Sequence, residues 1–242
     1  LGIPLIGVNH LEGHIYASWL AQGDLEKDPG FPLACLVASG GHTDLLLMKG
    51  HGRYELVGRS RDDAAGEAFD KAARILGLGF PGGPEIQRVS EGATGEEKLP
   101  RAWMKDTLDF SFSGLKTALL HMAQERGIYP SPEEGVDQAR QTRLVREMAA
   151  AFQESVVDVI SSKVVEMAAK YQVKGLVLGG GVTANRRLRE EIVQRSPLPV
   201  IVPPPVLCTD NGAMIAACGY FQYLRGEESA LDLDVNPGLP LG

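Results

Sequence analysis

The chain has 242 residues, 44% of them hydrophobic and 23% charged, with a net charge of −7; this is ample material for a sizeable core and the wrong sign for a protein that grips nucleic acid with its whole surface. Three cysteines, Cys35, Cys208 and Cys218, are too few and too scattered for a disulfide framework or a C-x-x-C metal site, and they suit a reducing compartment. No apolar run approaches the roughly 18 residues of a membrane span and no signal-peptide pattern precedes the first element, so the expectation is a cytoplasmic protein with no membrane contact.

The chain starts at Leu1 rather than a methionine, as expected of a piece of a longer protein, and Leu5-Ile6-Gly7-Val8 reads as a short strand. The run V-N-H-L-E-G-H (8–14) then opens a helix in which His10 and His14, four residues apart, share one face. That is metal-ligand spacing, though two incidental histidines at a helix start would look the same. It is not the zinc-protease pattern H-E-x-x-H, because Glu12 comes one residue too late and lies nearly opposite His10. From 33 to 48, two apolar runs flank Ser39-Gly40-Gly41-His42-Thr43, a hairpin whose glycines let backbone N–H groups face an anion such as phosphate; a tight structural turn is the alternative.

Residues 62–78 have the spacing of an amphipathic helix, with Asp62 and Asp63 as N-terminal caps and Gly77 near its end. Asp70 falls within a turn of the packed Phe69 and Ala73, either against a ligand or on the boundary. The P-G-G-P run (81–84) makes a stiff exit. The stretch F-S-F-S-G-L-K-T-A (110–118) offers a strand and then Lys116 at a helix start. Residues 141–170 form a long helix with Arg146, Glu154, Lys163 and Glu166 among its exposed positions. The arginine clusters 140/143/146 and 186/187/189 read as solvated helix faces that remain available to nucleic acid.

After Leu176-Val177-Leu178 comes a second glycine turn, 179–185, and then a helix from Arg186. Strand, glycine turn and helix together are common at nucleotide sites, although the dinucleotide fingerprint and the P-loop lysine are both missing. Val200-Ile201-Val202 is a strand running into three prolines, and the residues from 207 to 219 start a small-residue helix that Thr209 or Asp210 would cap.

Seven motifs, in order, resemble the family that makes threonylcarbamoyladenosine in tRNA, in its bacterial TsaD branch. They are N-H-L-E-G-H (9–14), V-A-S-G-G-H-T (37–43), D-D-A-A-G-E-A-F-D-K (62–71), P-G-G-P (81–84), F-S-F-S-G-L-K-T-A (110–118), G-G-G-V-T-A-N (179–185) and C-T-D-N-G-A-M-I-A (208–216). The resemblance implies an α/β actin-like ATPase fold, shared with sugar kinases and heat-shock chaperones. Residues 1–32 and 204–242 would be the remainder of a first lobe and 33–203 the second lobe. The family's first phosphate loop has no match here, so that first lobe is expected to be incomplete at its N-terminus.

The implied reaction is transfer of a threonylcarbamoyl group from threonylcarbamoyl-adenylate to N6 of adenosine 37 in tRNAs that read ANN codons. The implied cofactor is one divalent metal ion, iron with zinc as the alternative, on His10, His14 and Asp210. A nucleotide, threonylcarbamoyl-adenylate or ATP, would occupy the cleft. Ligand contacts carry over to Val37, Ala38, Ser39, Gly40, Gly41, Asp70, Gly83 and Asn185, and His42 is a candidate general base. Expected partners are tRNA, TsaB and TsaE, with TsaC making the adenylate. Two rival readings are a metallo-(glyco)endopeptidase, against which the missing H-E-x-x-H counts, and an actin-like ATPase or kinase, which does not need the histidine pair with Asp210.

Overall fold

The computed structural model describes residues 2–20, 30–130 and 137–241. Its centre is a five-stranded mixed sheet in the order β3-β2-β1-β4-β5, with β1 (Leu33–Ala38), β2 (Thr43–Gly50), β3 (Arg53–Arg59), β4 (Gly175–Gly179) and β5 (Val200–Ile201). β1 to β3 form an antiparallel meander, with Leu36 opposite Leu45, while β4 runs parallel to β1, with Cys35 beside Val177, and β5 parallel to β4. All six residues of β1 are buried, as a central strand covered on both faces requires.

Alternation along β1 divides the core. Leu33, Cys35 and Val37 face α1 (His10–Leu20) and α8 (Gly212–Leu224), packing with Ile15, Tyr16, Trp19 and Cys218. Ala34, Leu36 and Ala38 face the larger layer of α2 (Ala65–Ile75), α3 (Gly82–Ser90), α4 (Ser113–Glu125), α5 (Gln138–Lys170) and α6 (Arg186–Arg195). The helices α1 and α8, which the sequence division gives to a first lobe, therefore sit directly on the sheet of residues 33–203. A single turn, α7 (Pro205–Cys208), precedes α8. On the side of α1 away from its histidines, Glu12 is buried and accepts a hydrogen bond from Gln222 of α8 at 3.1 Å. No helix among the described residues is long and apolar enough to cross a membrane.

Several local expectations are corrected. Residues 5–8 make no strand, because the backbone pairing stops at a lone bridge from Leu5 to Ser229 and Gly7 N turns to the Ser229 hydroxyl instead. Phe110 likewise makes a single bridge, to Ser60. Asp62 and Asp63 do not cap α2, whose N-cap is Ala64 with no side-chain bond. Asp62 instead accepts from Phe112 N at 2.8 Å and Ser113 Oγ at 2.7 Å at the start of α4, and Asp63 pairs with Lys71 and Lys116. Lys163 is buried, not exposed; its ammonium donates to the carbonyls of Met104 and Thr107. The cap of α8 is Asn211, accepting from Met214 N at 2.9 Å, which leaves Thr209 and Asp210 free of that duty.

Candidate metal centre and ligand cleft

Asn9 fixes the start of α1 by accepting from Leu11 N at 2.9 Å and Glu12 N at 3.3 Å, so His10 stands at the mouth of the helix and His14 one turn inside. Asp210 arrives from the far end of the chain, just ahead of the α8 cap. Its Oδ1 lies 3.3 Å from His10 Nε2 and 3.2 Å from His14 Nε2. One ligand atom from each of the three residues falls within 4.8 Å of the others.

His14 is 1% exposed, and burial, followed by the neighbouring His10, lowers its pKa against the opposing pull of Asp210. A neutral buried imidazole is the form that ligates a metal. Among the described residues neither ring nitrogen makes a well-formed hydrogen bond, although Asp210 Oδ1 stands 3.2 Å from Nε2. A buried group left unpaired in this way calls for a ligand. Two imidazoles and one carboxylate fit a divalent ion, whether iron on a two-histidine, one-carboxylate face or zinc with open positions.

Beside this cluster lies a cavity of about 410 Å³, walled by Gly40, Gly66, Phe69, Asp70, Phe80, Gly83, Gln87, Val182, Asn185 and Thr209. Thr209 precedes the ligand Asp210, so cavity and cluster are neighbours. The two glycine turns close the carboxyl ends of the adjacent parallel strands β1 and β4, the usual ligand position of an α/β sheet. The first turn is stitched internally. Ser39 N donates to His42 O at 2.8 Å and His42 N to Ser39 Oγ at 3.2 Å, so among residues 39–41 only Gly40 and Gly41 keep outward N–H groups. The amino end of α2 docks on the same turn through Gly66 N to Ser39 O at 3.1 Å and Ala65 N to Thr43 Oγ1 at 2.8 Å. Gly180 has φ +91°, and a Cβ there would collide with Ala38 O, so the second turn requires glycine.

The residues singled out from sequence separate into groups. His10, His14 and Asp210 converge, and Gly40, Asp70, Gly83 and Asn185 line the cavity. Ser39 and Gly41 stand in the turn beside it, whereas the Val37 and Ala38 side chains are buried in the sheet core. His42 is exposed and lies close enough to His14 and Asp44 to affect both electrostatically. Asp70 Oδ1 accepts from Gly82 N at 2.7 Å, pinning the P-G-G-P turn. Asn185 caps α6 by accepting from Leu188 N at 3.0 Å, and its amide donates to Gln153 at 2.8 Å, so the side chain is held by the fold. Sequence reasoning missed Gln87, Thr209 and Phe80. Only Phe80 carried a signal, as an aromatic set between a glycine and P-G-G-P.

A sheet with two glycine turns at neighbouring strand ends, next to a histidine–histidine–aspartate cluster, outlines a ligand cleft beside a candidate metal site. Solved structures agree on the fold. The phosphate- and nucleotide-bound form of full-length HypF superposes with a TM-score of 0.66 at 13% identity, covering 95% of this chain and 37% of that one. The activator of the 2-hydroxyisocaproyl-CoA dehydratase from Clostridium difficile, with bound ADPNP, superposes at 0.52 and 15% identity, covering 93% and 72%. The fold is the actin-like ATPase fold.

The family model TsaD, tRNA N6-adenosine threonylcarbamoyltransferase, matches residues 1–217. Proteins of that name from Dehalococcoides mccartyi and Bacillus cereus are 52% and 48% identical over 237 and 247 residues, covering 98% and 99% of this chain. The chain spans 67% of the length of each. It belongs to the tRNA N6-adenosine threonylcarbamoyltransferase family, a transferase family of tRNA t6A biosynthesis.

Proposed function

We propose that this chain transfers the threonylcarbamoyl group of threonylcarbamoyl-adenylate to N6 of adenosine 37 in ANN-reading tRNAs, with a metal ion assisting. The observation that carries the reading is the His10, His14 and Asp210 cluster set against a ligand cavity through Thr209. Those three residues would hold one divalent ion, iron or zinc, which when bound supplies Lewis acidity to carbonyl or phosphate oxygens of the donor. The outward N–H groups of Gly40 and Gly41 are placed to stabilise negative charge on the phosphate or on the carbonyl oxygen under attack. Asp70 keeps its second carboxylate oxygen for a hydroxyl or amine of the ligand.

In the step itself the adenosine N6 forms a bond to the carbamoyl carbon, the bond from that carbon to the phosphate oxygen breaks, and AMP leaves. His42, exposed beside the turn, takes the proton released from N6. The net charge of −7 is a reason for tRNA to be gripped with the help of TsaB and TsaE in the cytoplasm, residues 33–203 serving as the second lobe.

The test is reconstitution with synthetic threonylcarbamoyl-adenylate, tRNA and the partner proteins, with t6A read by mass spectrometry and metal content measured in parallel. His14→Ala and Asp210→Asn should lose both metal and product at an unchanged circular-dichroism spectrum. Full turnover by metal-free His14→Ala refutes the reading, and full turnover by His42→Ala removes that residue alone from the mechanism.

A further inference from the structure

Phe80 is 84% exposed, more than any other aromatic side chain among the described residues. A large apolar ring left in water is informative when it stands at a site. This one lines both the 410 Å³ cavity and an adjoining groove that passes Asp70, Lys71 and Arg74, so it marks the point where the cavity opens outward.

The turn that presents the ring is rigid. Asp70 holds Gly82 N at 2.7 Å, and a Cβ on Gly82 would lie 2.5 Å from Phe69 O, so the backbone after Pro81 rests directly on α2. Phe69, eleven residues earlier, is buried and packs edge-on against Phe152 at 5.6 Å between centroids. The core has its aromatic there and has no use for Phe80.

Inside the cavity the apolar walls of Phe69, Pro84 and Val182 suit the donor's own adenine, and the one carboxylate, Asp70, with backbone N–H groups suits its hydroxyls and phosphate, which leaves the ring at the mouth without a donor group to hold. What an incoming nucleotide needs is different, because its base must leave the RNA stack before N6 can be reached. Unstacked bases are held on aromatic side chains, and the neighbouring phosphates on arginine. Along the groove Lys71 is paired with Asp63 and Glu67, whereas Arg74 is exposed and has no ion pair among the described residues. We infer that Phe80 stacks on the purine of the RNA acceptor nucleotide at the mouth of the cavity, with Arg74 against an adjoining phosphate. This rests on the transferase reading above.

The test compares Phe80→Leu, which keeps apolar bulk without a π face, with Phe80→Tyr, which restores the face, in the reconstituted full-length system with its partners. Stacking on one base sets the scale, so Phe80→Leu should raise KM for tRNA roughly 10-fold or more while KM for threonylcarbamoyl-adenylate stays put, and Phe80→Tyr should return to wild type. An anticodon stem-loop carrying 2-aminopurine at the acceptor position should be quenched on binding wild type and not on binding Phe80→Leu. The inference is overturned if Phe80→Leu matches wild type in both assays. It is also overturned if KM for the adenylate rises instead, making the ring a donor contact, or if only assembly with the partner proteins is lost. Absence of t6A from wild type would refute the transferase reading itself, independently of Phe80.

Discussion

Gly179, the last residue of β4, is where the fold and the metal cluster press on each other. A Cβ built there would lie 2.5 Å from the carbonyl oxygen of His14 and 2.8 Å from its carbonyl carbon, both backbone atoms that no rotamer change can move. Ordinary contact begins near 3.4 Å, so Gly179→Ala requires α1 to withdraw by about 0.9 Å at His14. Metal–nitrogen distances tolerate about 0.2 Å, so the imidazole would be carried out of range of an ion still held by Asp210. Overpacking of this kind costs roughly 1–3 kcal/mol, about 2–10 °C of Tm in a chain of this size. The expected result is metal affinity weakened by about 10-fold or more, read by chelator competition, together with a lower calorimetric Tm. Gly83→Ala is the control, since its Cβ meets nothing within 4 Å; it should leave metal affinity and Tm unchanged. Wild-type metal affinity in Gly179→Ala would refute the argument.

Glu147 provides a pH test. Its buried carboxylate accepts from Thr94 N at 2.6 Å, Thr94 Oγ1 at 3.1 Å, Gly95 N at 2.8 Å and Glu96 N at 3.0 Å, and the Thr94 N–H above all holds its pKa below the ordinary 4.5. A depressed carboxylate stabilises the fold above about pH 4.5 and loses that contribution as pH falls through the folded-state value, so Glu147→Gln should flatten the acid limb of the stability curve. At pH 7 the same variant should lose about 2 kcal/mol in urea titration. Asp62→Ala, which frees Phe112 N and two serine hydroxyls at the start of α4, should cost about 1–2 kcal/mol by the same measurement, and Asp62→Asn about half of that.

What could be seen in the sequence was whatever local chemistry dictates. The hairpin around Ser39–Thr43, the glycine turn after β4 and the helix face of His10 and His14 depend on spacings of four residues or fewer, and each stands where it was expected. Contacts over long separations were hidden. Asp62 looked like a cap for the helix that follows it, but its donors are about fifty residues further on. Lys163 fell on a polar helix position, yet two carbonyls in the 104–107 segment draw it inside. Asp210 was a plausible cap until Asn211 took that place one residue later, leaving the carboxylate side chain 77% exposed and turned toward the histidines. The motif order, rather than any single spacing, connected Asp210 to His10.

The pairing of α1 with α8 also dictates when the molecule can be completed. During synthesis α1 leaves the ribosome well before its partner helix, since Gln222, which donates to Glu12, follows 210 positions later. At roughly 5–20 residues per second that is a wait of about 10–40 s. Through most of that interval α1, buried from Leu11 to Trp19 in the finished fold, can lie against β1 and β4 but lacks the helix that covers its remaining side, and Asp210 does not yet exist. The strands of the sheet are therefore all made before Asp210, and the candidate metal cluster can form only after them. Chaperone dependence and metal supply would then act on the same late intermediate.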